Sequence, residues 1–298
     1  MIEIRTADYL KLENIINLAD EFNIRFGLGS ESCVHKLPCL GILKNTISQV
    51  ANLTVVTPIT PQKHYKWMLD YINELPSGVK LVINDAGILY SLNKTKSLGR
   101  FDKIIAGRGI VHTSEACPWV DHLLRDESEH IKEAFLQTNL NYSRTLDFFK
   151  KMGITGMETD LESRTVNAAL RTGLPVSAHI EYIAVSYARS CHTSRFYSEQ
   201  PPACVHRCNN PIKIELIDMF DLSSVPPGFA QPGPEMLEIF PTLYLLGNTI
   251  FMKSNCQDTK GLEQIIINTD MYDFEDLTNI IQYTDTLSTT DQQRPFPQ

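Results

Sequence analysis

One complete unit of the fold is spelled out by residues 53–84, which read LTVVTPITPQKHYKWMLDYINELPSGVKLVIN. The β-branched run Leu53–Thr57 has the composition of a buried strand. A helix is predicted over Pro61–Leu75, because proline is favoured at the first helical position. Pro76-Ser77-Gly78 is a turn signal, and Val79–Asn84 is a second apolar run. A strand, a helix and a strand in this order predict a parallel βαβ unit.

The same alternation extends in both directions from this unit. Eight strands are predicted before residue 186, at residues 2–4, 24–29, 53–57, 79–84, 102–106, 134–138, 154–158 and 175–180. Helical patterns separate most of them, as at residues 8–22. About eight parallel strands predict an α/β fold that closes into a (β/α)8, TIM-like barrel. An open, doubly wound sheet fits the same pattern of elements.

The pattern divides the chain into three predicted parts. Residues 1–185 form the barrel, with a polar insertion on its rim at 107–133, where the alternation is interrupted. Residues 186–287 form a cysteine-rich loop and a small β-rich C-terminal segment. Residues 288–298, STTDQQRPFPQ, are polar and carry no apolar periodicity, so a disordered tail is predicted there.

Composition narrows the class of protein. The 298 residues carry a net charge of −8, which argues against a broad electrostatic hold on nucleic acid and makes RNA a less favoured partner than a small molecule or a protein. No apolar run reaches about 18 residues, so no membrane span is expected. The N-terminal segment lacks the apolar core of a signal peptide, which predicts a cytoplasmic location. In that reducing compartment, the seven cysteines are interpreted as metal ligands and free thiols.

The densest group of cysteines lies in residues 187–211, YARSCHTSRFYSEQPPACVHRCNNP. Cys191, Cys204 and Cys208 follow the spacing C-x12-C-x3-C, and Pro201 and Pro202 interrupt any regular element between the first two. Thiolates gathered on irregular backbone suit zinc or an iron–sulfur cluster. Common zinc fingers use paired two-residue gaps instead, so this spacing favours the cluster.

Three thiolates leave a four-ligand site incomplete, and the N-terminal region offers two further cysteines. Cys33 follows the second predicted strand, and Cys39 opens the next helix. In a barrel, both would lie on the C-terminal face, where the strand at 175–180 also delivers the cysteine-rich loop. Spacing alone leaves both cysteines open as the fourth ligand.

Other side chains are candidates for roles beside this site. His179 ends a predicted strand, where it is a candidate ligand, base or supporting group, or simply a packed histidine. Arg189 and Arg195 are candidates for balancing a cluster's charge or binding an anionic substrate. A second metal site in the insertion is less favoured than a solvated loop, since no tight spacing joins its candidate ligands His112, Cys117, Asp121, His122 and His130.

The residues from His179 to Cys208 resemble the collagenase-like peptidase family U-32. The family pattern has a barrel strand that ends in histidine, then S-Y-x-x-x-C, then C-x3-C before a β-rich segment. Here these positions are His179, Ser186 to Cys191, and Cys204 with Cys208. Weaker matches occur at 84–89, 137–141 and 246–249, and the resemblance covers roughly residues 1–256.

Within this family the chain looks most like the iron–sulfur proteins of oxygen-independent ubiquinone hydroxylation. Those proteins take a fourth cysteine from an early loop with the context L-G-x-x-x-C, which residues 28–33 match. The resemblance therefore favours Cys33 over Cys39. It implies a (β/α)8-like barrel with a 4Fe-4S cluster on Cys33, Cys191, Cys204 and Cys208. The insertion at 107–133 departs from those members, so their substrate is not transferred to this chain.

The resemblance also sets expectations for function. It implies an oxygen-independent hydroxylation or a related redox modification of a small-molecule or protein substrate, with Asn139, Asn141 and His179 placed to contact that substrate. Two alternatives stay open at this point. One is a zinc-stabilised scaffold, or a subunit of a heterodimer with a related family member. The other is a peptidase, although the sequence shows no positioned pair of nucleophile and base.

Overall fold

A computed structural model describes residues 1–16, 24–50, 52–113, 117, 120–199, 204, 207–215, 241–272 and 274–292 of the chain. Its strands form two sheets, a closed parallel barrel and a four-stranded antiparallel sheet. The barrel strands, each hydrogen-bonded to the next and the last to the first, are β1 (Ile2–Thr6), β2 (Ile24–Gly29), β3 (Thr54–Thr57), β4 (Lys80–Ile83), β5 (Lys103–Ala106), β6 (Gly156–Asp160), β7 (Val176–His179) and β12 (Gln264–Asn268). The predicted α/β barrel is confirmed at this level.

The second sheet lies in the β-rich segment, and its first strand follows closely after barrel strand β7. Its order is β8 (Tyr182–Tyr187), β11 (Thr249–Lys253), β10 (Thr242–Leu246) and β9 (Ile212–Glu215), with every neighbouring pair antiparallel. Only the two residues Ile180 and Glu181 separate β7 from β8. This short link fixes the small sheet beside the carboxyl ends of the barrel strands.

Helices fill the connections between the barrel strands. In chain order they are α1 (Tyr9–Ile16), α2 (Leu40–Gln49), α3 (Tyr65–Glu74), α4 (Ala86–Lys94), α5 (Val120–Leu123), α6 (Glu129–Phe135), α7 (Ser143–Lys151), α8 (Ser163–Leu170), α9 (His192–Phe196) and α10 (Phe274–Gln292). Helices α5 and α6 lie within and just beyond the predicted rim insertion, in the connection that follows β5. The short α9 lies inside the predicted cysteine-rich loop, of which residues 200–203, 205 and 206 fall outside the described residues.

The unit at residues 53–84 forms for the reasons that its sequence suggests. Every residue of β3 and β4 is buried, as expected for parallel strands that are covered on both faces. Met68 and Ile72 are fully buried and lie four residues apart, so they anchor α3 on the sheet. The helix begins later than predicted, because the 3₁₀ turn Gln62–His64 precedes it. The βαβ prediction is therefore confirmed, with a shifted helix boundary.

The prediction of a strand at residues 134–138 is wrong. Helix α6 continues to Phe135, and its N-cap Ser128 accepts a hydrogen bond from the Ile131 backbone N–H. Thr138 forms only an isolated antiparallel bridge with Thr113. The eighth barrel strand is β12 instead, which pairs in parallel with both β1 and β7. The barrel therefore includes residues well beyond the predicted 1–185 segment.

The predicted start of the disordered tail, at residue 288, is also wrong. Helix α10 runs through Gln292, so residues 288–292 are helical rather than disordered. Leu277 and Ile281 are buried on the barrel surface one helical turn apart, which explains why a helix starts in this polar region. Residues 293–298 lie outside the described part of the chain, as do residues 216–240 of the predicted β-rich segment.

The length and apolar character of the described helices decide whether any of them could span a membrane. None of them is both long enough and apolar enough to cross a bilayer. The expectation of no membrane span is confirmed for the part of the chain that the structure describes.

Candidate functional site

Cys33 lies in the loop that follows β2, at the carboxyl end of the barrel strands. It precedes the 3₁₀ turn Val34–Lys36, and its sulfur accepts a hydrogen bond from the His35 backbone N–H at 3.4 Å. Cys39 lies in the same connection but is exposed, directly before α2. The two candidate ligands from the N-terminal half therefore occupy different environments.

A tight turn at Gly247 and Asn248 joins the Cys33 loop to the Cys191 loop. The Asn248 N–H donates to the Ser32 carbonyl at 2.8 Å, and the Gly247 carbonyl accepts from the His192 N–H at 2.8 Å. The Cys191 thiol donates to the same Gly247 carbonyl at 3.4 Å. This turn, which connects β10 to β11, brings the two distant cysteine-bearing loops together.

We expect Gly247→Ala to destabilise the fold by about 2–4 kcal/mol, because it combines strain with a clash. Gly247 has a φ of +60°, and a Cβ built on it would lie 2.3 Å from the Ser32 carbonyl oxygen. Urea unfolding of the apo-protein measures the loss. Gly78→Ala is the matched control, since Gly78 has a φ of +81° and nothing within 4 Å of the added Cβ. Equal losses for both variants would contradict a role for the Ser32 contact.

Cys33, Cys191 and Cys204 line one small cavity of about 140 Å³, which we call the thiol cavity. Burial raises the pKa of the Cys33 thiol to about 12, and the neighbouring thiols of Cys208, Cys191 and Cys204 add to the rise. Burial likewise raises the pKa of Cys208, again with contributions from Cys191 and Cys204. Cys33 therefore lies within electrostatic reach of Cys208, Cys191 and Cys204, and Cys208 within reach of Cys191 and Cys204, whereas Cys39 does not line this cavity.

Arg108, just after β5, is the centre of a buried ionic cluster beside the thiol cavity. Its guanidinium Nε donates to Glu31 Oε2 at 3.1 Å, and one Nη donates to the other oxygen of the same carboxylate. The other Nη donates to the carboxylate of Asp160 and to the Tyr182 carbonyl. The Tyr187 hydroxyl donates to Glu31 Oε2 at 3.1 Å. These hydrogen bonds thus connect the carboxyl ends of strands β2, β5 and β6 to strand β8 of the small sheet.

A second cavity, of about 330 Å³, opens beside this cluster and is called the arginine cavity here. Arg108, Asp160 and Tyr187 contribute to its walls, and Ile59 and Arg189 line both this cavity and the thiol cavity. Burial raises the pKa of Asp160, although Arg108 opposes the rise. The arginine cavity therefore presents a carboxyl group with an increased tendency to hold a proton.

The barrel interior below these cavities contains a chain of charged side chains. Arg5 donates to Glu3 Oε1 at 2.7 Å and makes a bidentate contact with Glu158. Lys80 lies 3.4 Å from the other oxygen of Glu3. Burial would raise the pKa of Glu158, but the Arg5 guanidinium outweighs it and holds that pKa well below the usual value. His179 Nε2 lies 3.2 Å from Glu158 Oε2 and connects the network to the strand ends.

The structure places the other predicted site residues in varied settings. His179 is buried, burial lowers its pKa, and its Nδ1 has no hydrogen-bond partner among the described residues. Arg189 donates to Asp85 Oδ2 at 2.9 Å and to the Thr60 carbonyl at 2.6 Å. Arg195 is exposed on α9. Among the described residues, none of these three side chains hydrogen-bonds to a cysteine sulfur, but Arg189 lines the thiol cavity.

The two asparagines predicted to contact substrate each make hydrogen bonds within the chain. Asn139 Oδ1 accepts from the His112 N–H at 3.0 Å, and its Nδ2 donates to the Ile110 carbonyl at 2.9 Å. Asn141 Oδ1 accepts from Thr138, and its Nδ2 donates to the Ala168 carbonyl at 2.7 Å. Both amides brace the connection between β5 and α7, and neither lines the thiol cavity or the arginine cavity.

Sequence reasoning missed the ionic residues that connect the barrel to the site. Arg108 lies at the start of the predicted polar insertion, where the sequence assigns it no role. Glu3 and Glu158 lie in predicted strands, and Arg5 directly follows the first of them. A signal was present, because charged residues at inward positions of a predicted barrel strand must find partners inside it. The identity of those partners was not readable from local spacing.

Comparisons with known proteins give no further identification. No family model, no curated protein and no solved structure matches this chain. Within the described residues, no group of three or more His, Cys, Asp or Glu side chains is arranged so that it could hold a metal ion. The candidate second site in the insertion is described only in part, because the side chains of Asp121 and His122 lie outside the described residues.

Proposed function

We propose that the chain is an iron–sulfur protein whose Cys33, Cys191, Cys204 and Cys208 hold a 4Fe-4S cluster at the carboxyl end of the barrel. The observation that supports this is that Cys33, Cys191 and Cys204, from two distant parts of the chain, line one small cavity, and that Cys208 lies close enough to raise the pKa of the Cys33 thiol. Four cysteine thiolates are the usual ligand set of such a cluster. Cys39 is outside this set because it is exposed and does not line the thiol cavity.

The donor set fits a cluster better than a single ion. In a four-iron cluster each thiolate binds a different iron, so the sulfurs stand further apart than those around one zinc ion. The C-x12-C-x3-C spacing, which departs from the paired two-residue gaps of common zinc fingers, supports the cluster as well. Bound there, a cluster supplies one-electron chemistry, while the chain itself supplies the thiols and the surrounding cations.

The reaction class that we propose is an oxygen-independent hydroxylation or a related redox modification. The resemblance to family U-32 suggests this class, and the arginine cavity gives a substrate a place next to the thiol cavity. At about 330 Å³ the arginine cavity suits a small molecule or a single side chain of a protein. Arg189, which lines both cavities, would contact the bound substrate, and Asp160 would exchange protons with it.

The test is an anaerobic purification followed by four measurements on one sample. We expect a brown protein with a broad absorption band near about 400 nm, about four irons and about four acid-labile sulfides per chain. A colourless protein with one zinc per chain would overturn the cluster and favour a zinc-stabilised scaffold or a heterodimer subunit. No observation on the described residues favours the peptidase alternative, so a peptide-cleavage assay is secondary.

A further inference from the structure

A line of aromatic rings leads from the Cys33 loop to the protein surface. The His35 and His64 rings make an edge-on contact with centroids 5.2 Å apart, and His64 and Trp67 follow at 6.3 Å. Trp67 stacks on Tyr71 at 5.6 Å, and 47% of Trp67 is exposed. His35 and His64 also line the thiol cavity. The rings therefore connect that cavity to a large exposed indole.

Basic side chains surround the outer end of this line. Lys63 lines the thiol cavity and is exposed, and Lys66 is exposed on the first turn of α3. Lys63 lies in the 3₁₀ turn directly before α3, and Lys66 and Trp67 lie in the first turn of α3. The Arg189 side chain, 58% exposed and paired with Asp85, lies at the rim of the same cavity. Two lysines with no ion pair among the described residues thus lie beside Trp67, with the exposed Asp70 on the next turn of α3, on a chain whose net charge is −8.

We propose that Lys63, Lys66, Trp67 and the rim of the thiol cavity form the docking surface for an acidic one-electron carrier protein. This inference rests on the proposed function, because a hydroxylation removes electrons from the substrate and a redox group held by the four thiols would pass them on. That group would give up one electron and become oxidised, and the oxidised carrier would take it up; the reverse transfer, from a reduced carrier, uses the same contact. No proton and no bond change is needed in that step.

Two features of the surface favour a protein carrier over other partners. Positive groups around an exposed aromatic side chain match interfaces in which an aromatic anchor is ringed by charges that steer the partner. The chain is acidic as a whole, so a few local cations would orient an acidic protein without attracting long nucleic acids. The aromatic line gives the docked carrier a short route to Cys33, whose sulfur accepts the His35 backbone N–H.

The experiment uses the full chain with its cluster and a reduced plant-type ferredoxin as the acidic carrier. Stopped-flow absorbance measures the second-order rate of electron transfer at low salt, and calorimetry measures binding. We expect the double variant Lys63→Glu, Lys66→Glu to lower the rate and the affinity about tenfold or more. At 1 M salt, where the Debye length is about 3 Å, the difference should largely disappear.

Lys150→Glu with Lys151→Glu is the matched control. Both lysines are exposed in the last turn of α7, whose end faces the opposite side of the barrel from the thiols. This control should behave as the unmodified protein does. Dithionite, a small chemical reductant, should reduce all variants at the same rate, since it needs no docking surface.

Substitutions of Trp67 test whether the line of aromatic rings carries the electron. Trp67→Leu should slow reduction by ferredoxin about tenfold while leaving iron content and dithionite reduction unchanged, and Trp67→Phe should restore much of the rate. Equal ferredoxin rates for the Lys63, Lys66 double variant, its control and the unmodified chain would overturn the docking proposal alone. So would displacement of ferredoxin by a short single-stranded RNA that binds more tightly. An iron-free protein would overturn the proposed function and this inference together.

Discussion

Cys191→Ser protein, purified without oxygen, is expected to lose nearly all of its iron while keeping its fold. The Cys191 sulfur accepts the Ser194 N–H and donates to the Gly247 carbonyl, each at 3.4 Å. A serine hydroxyl offers the same donor and acceptor, so the loop keeps its local hydrogen bonds. An alkoxide is a far poorer ligand for iron in a cluster than a thiolate, because soft sulfur is the preferred donor.

The measurement is iron and sulfide per chain, together with circular dichroism as a check on folding. We expect a fall from about four irons per chain to below about one. Cys33→Ser, Cys204→Ser and Cys208→Ser should behave in the same way. Cys39→Ser is the matched control, since Cys39 is exposed and caps α2 without a side-chain hydrogen bond. Full iron in Cys191→Ser, or its loss in Cys39→Ser, would remove the proposed ligand set.

Glu158→Gln should cost about 3–5 kcal/mol of unfolding free energy at pH 7. The Arg5–Glu158 pair is almost fully buried, with side-chain exposures of 6% and 2%. Replacing the carboxylate by an amide leaves Arg5 with Glu3 as its remaining anionic partner and removes an acceptor from His179. Breaking one side of a buried ion pair is strongly destabilising, because the other charge stays desolvated. Urea unfolding at pH 7 measures the loss.

The pH dependence gives a second readout of the same residue. The pKa of Glu158 is held well below its usual value of 4.5, after Arg5 outweighs the effect of burial. A depressed folded-state pKa contributes stability that is complete above about 4.5 and is lost as pH falls below it. The unmodified chain should therefore weaken steeply between about pH 4.5 and more acidic values. Glu158→Gln should weaken less, because it no longer carries this carboxylate, while Glu3 and Glu31, with their own lowered pKa values, keep part of the acid sensitivity.

The matched control is the same substitution at a more exposed pair. Glu263 accepts from Lys103 at 2.6 Å, with side-chain exposures of 29% and 35%. Glu263→Gln should cost less than about 1 kcal/mol, since solvent screens partly exposed charges. A loss in Glu158→Gln no larger than that of Glu263→Gln would show that the barrel network does not stabilise the fold in the way described.

Much of the fold was predictable because it depends on local patterns. Buried β-branched runs followed by amphipathic helices identify parallel βα units, and seven of the eight barrel strands were predicted close to their observed positions. The error at 134–138 and the late strand β12 have one cause. Periodicity locates a strand but not its neighbours, so a segment after the small sheet was not recognised as the partner of β1.

The candidate site was predictable only in its cysteines. Their spacing pointed to Cys191, Cys204 and Cys208, and the family resemblance at residues 28–33 favoured Cys33 over Cys39 as the fourth. The hydrogen bonds by which Asn139 and Asn141 brace a loop could not be read from local sequence, and their contact with a substrate stays a prediction. Arg108 and Glu31 were overlooked, since their partnership joins residues 77 positions apart.

The amino-acid sequence by itself determined which segments are strands and helices and which side chains are chemically able to hold iron. These properties follow from period, turn residues and the chemistry of thiols, all of which act over a few positions. Tertiary structure alone decided that β12 closes the barrel, that Arg5 meets Glu158 across 153 positions, and that the Gly247 turn joins the two cysteine loops. Such pairings involve residues far apart in the chain. They form because a buried charge or backbone polar group without a partner costs several kcal/mol of folding free energy.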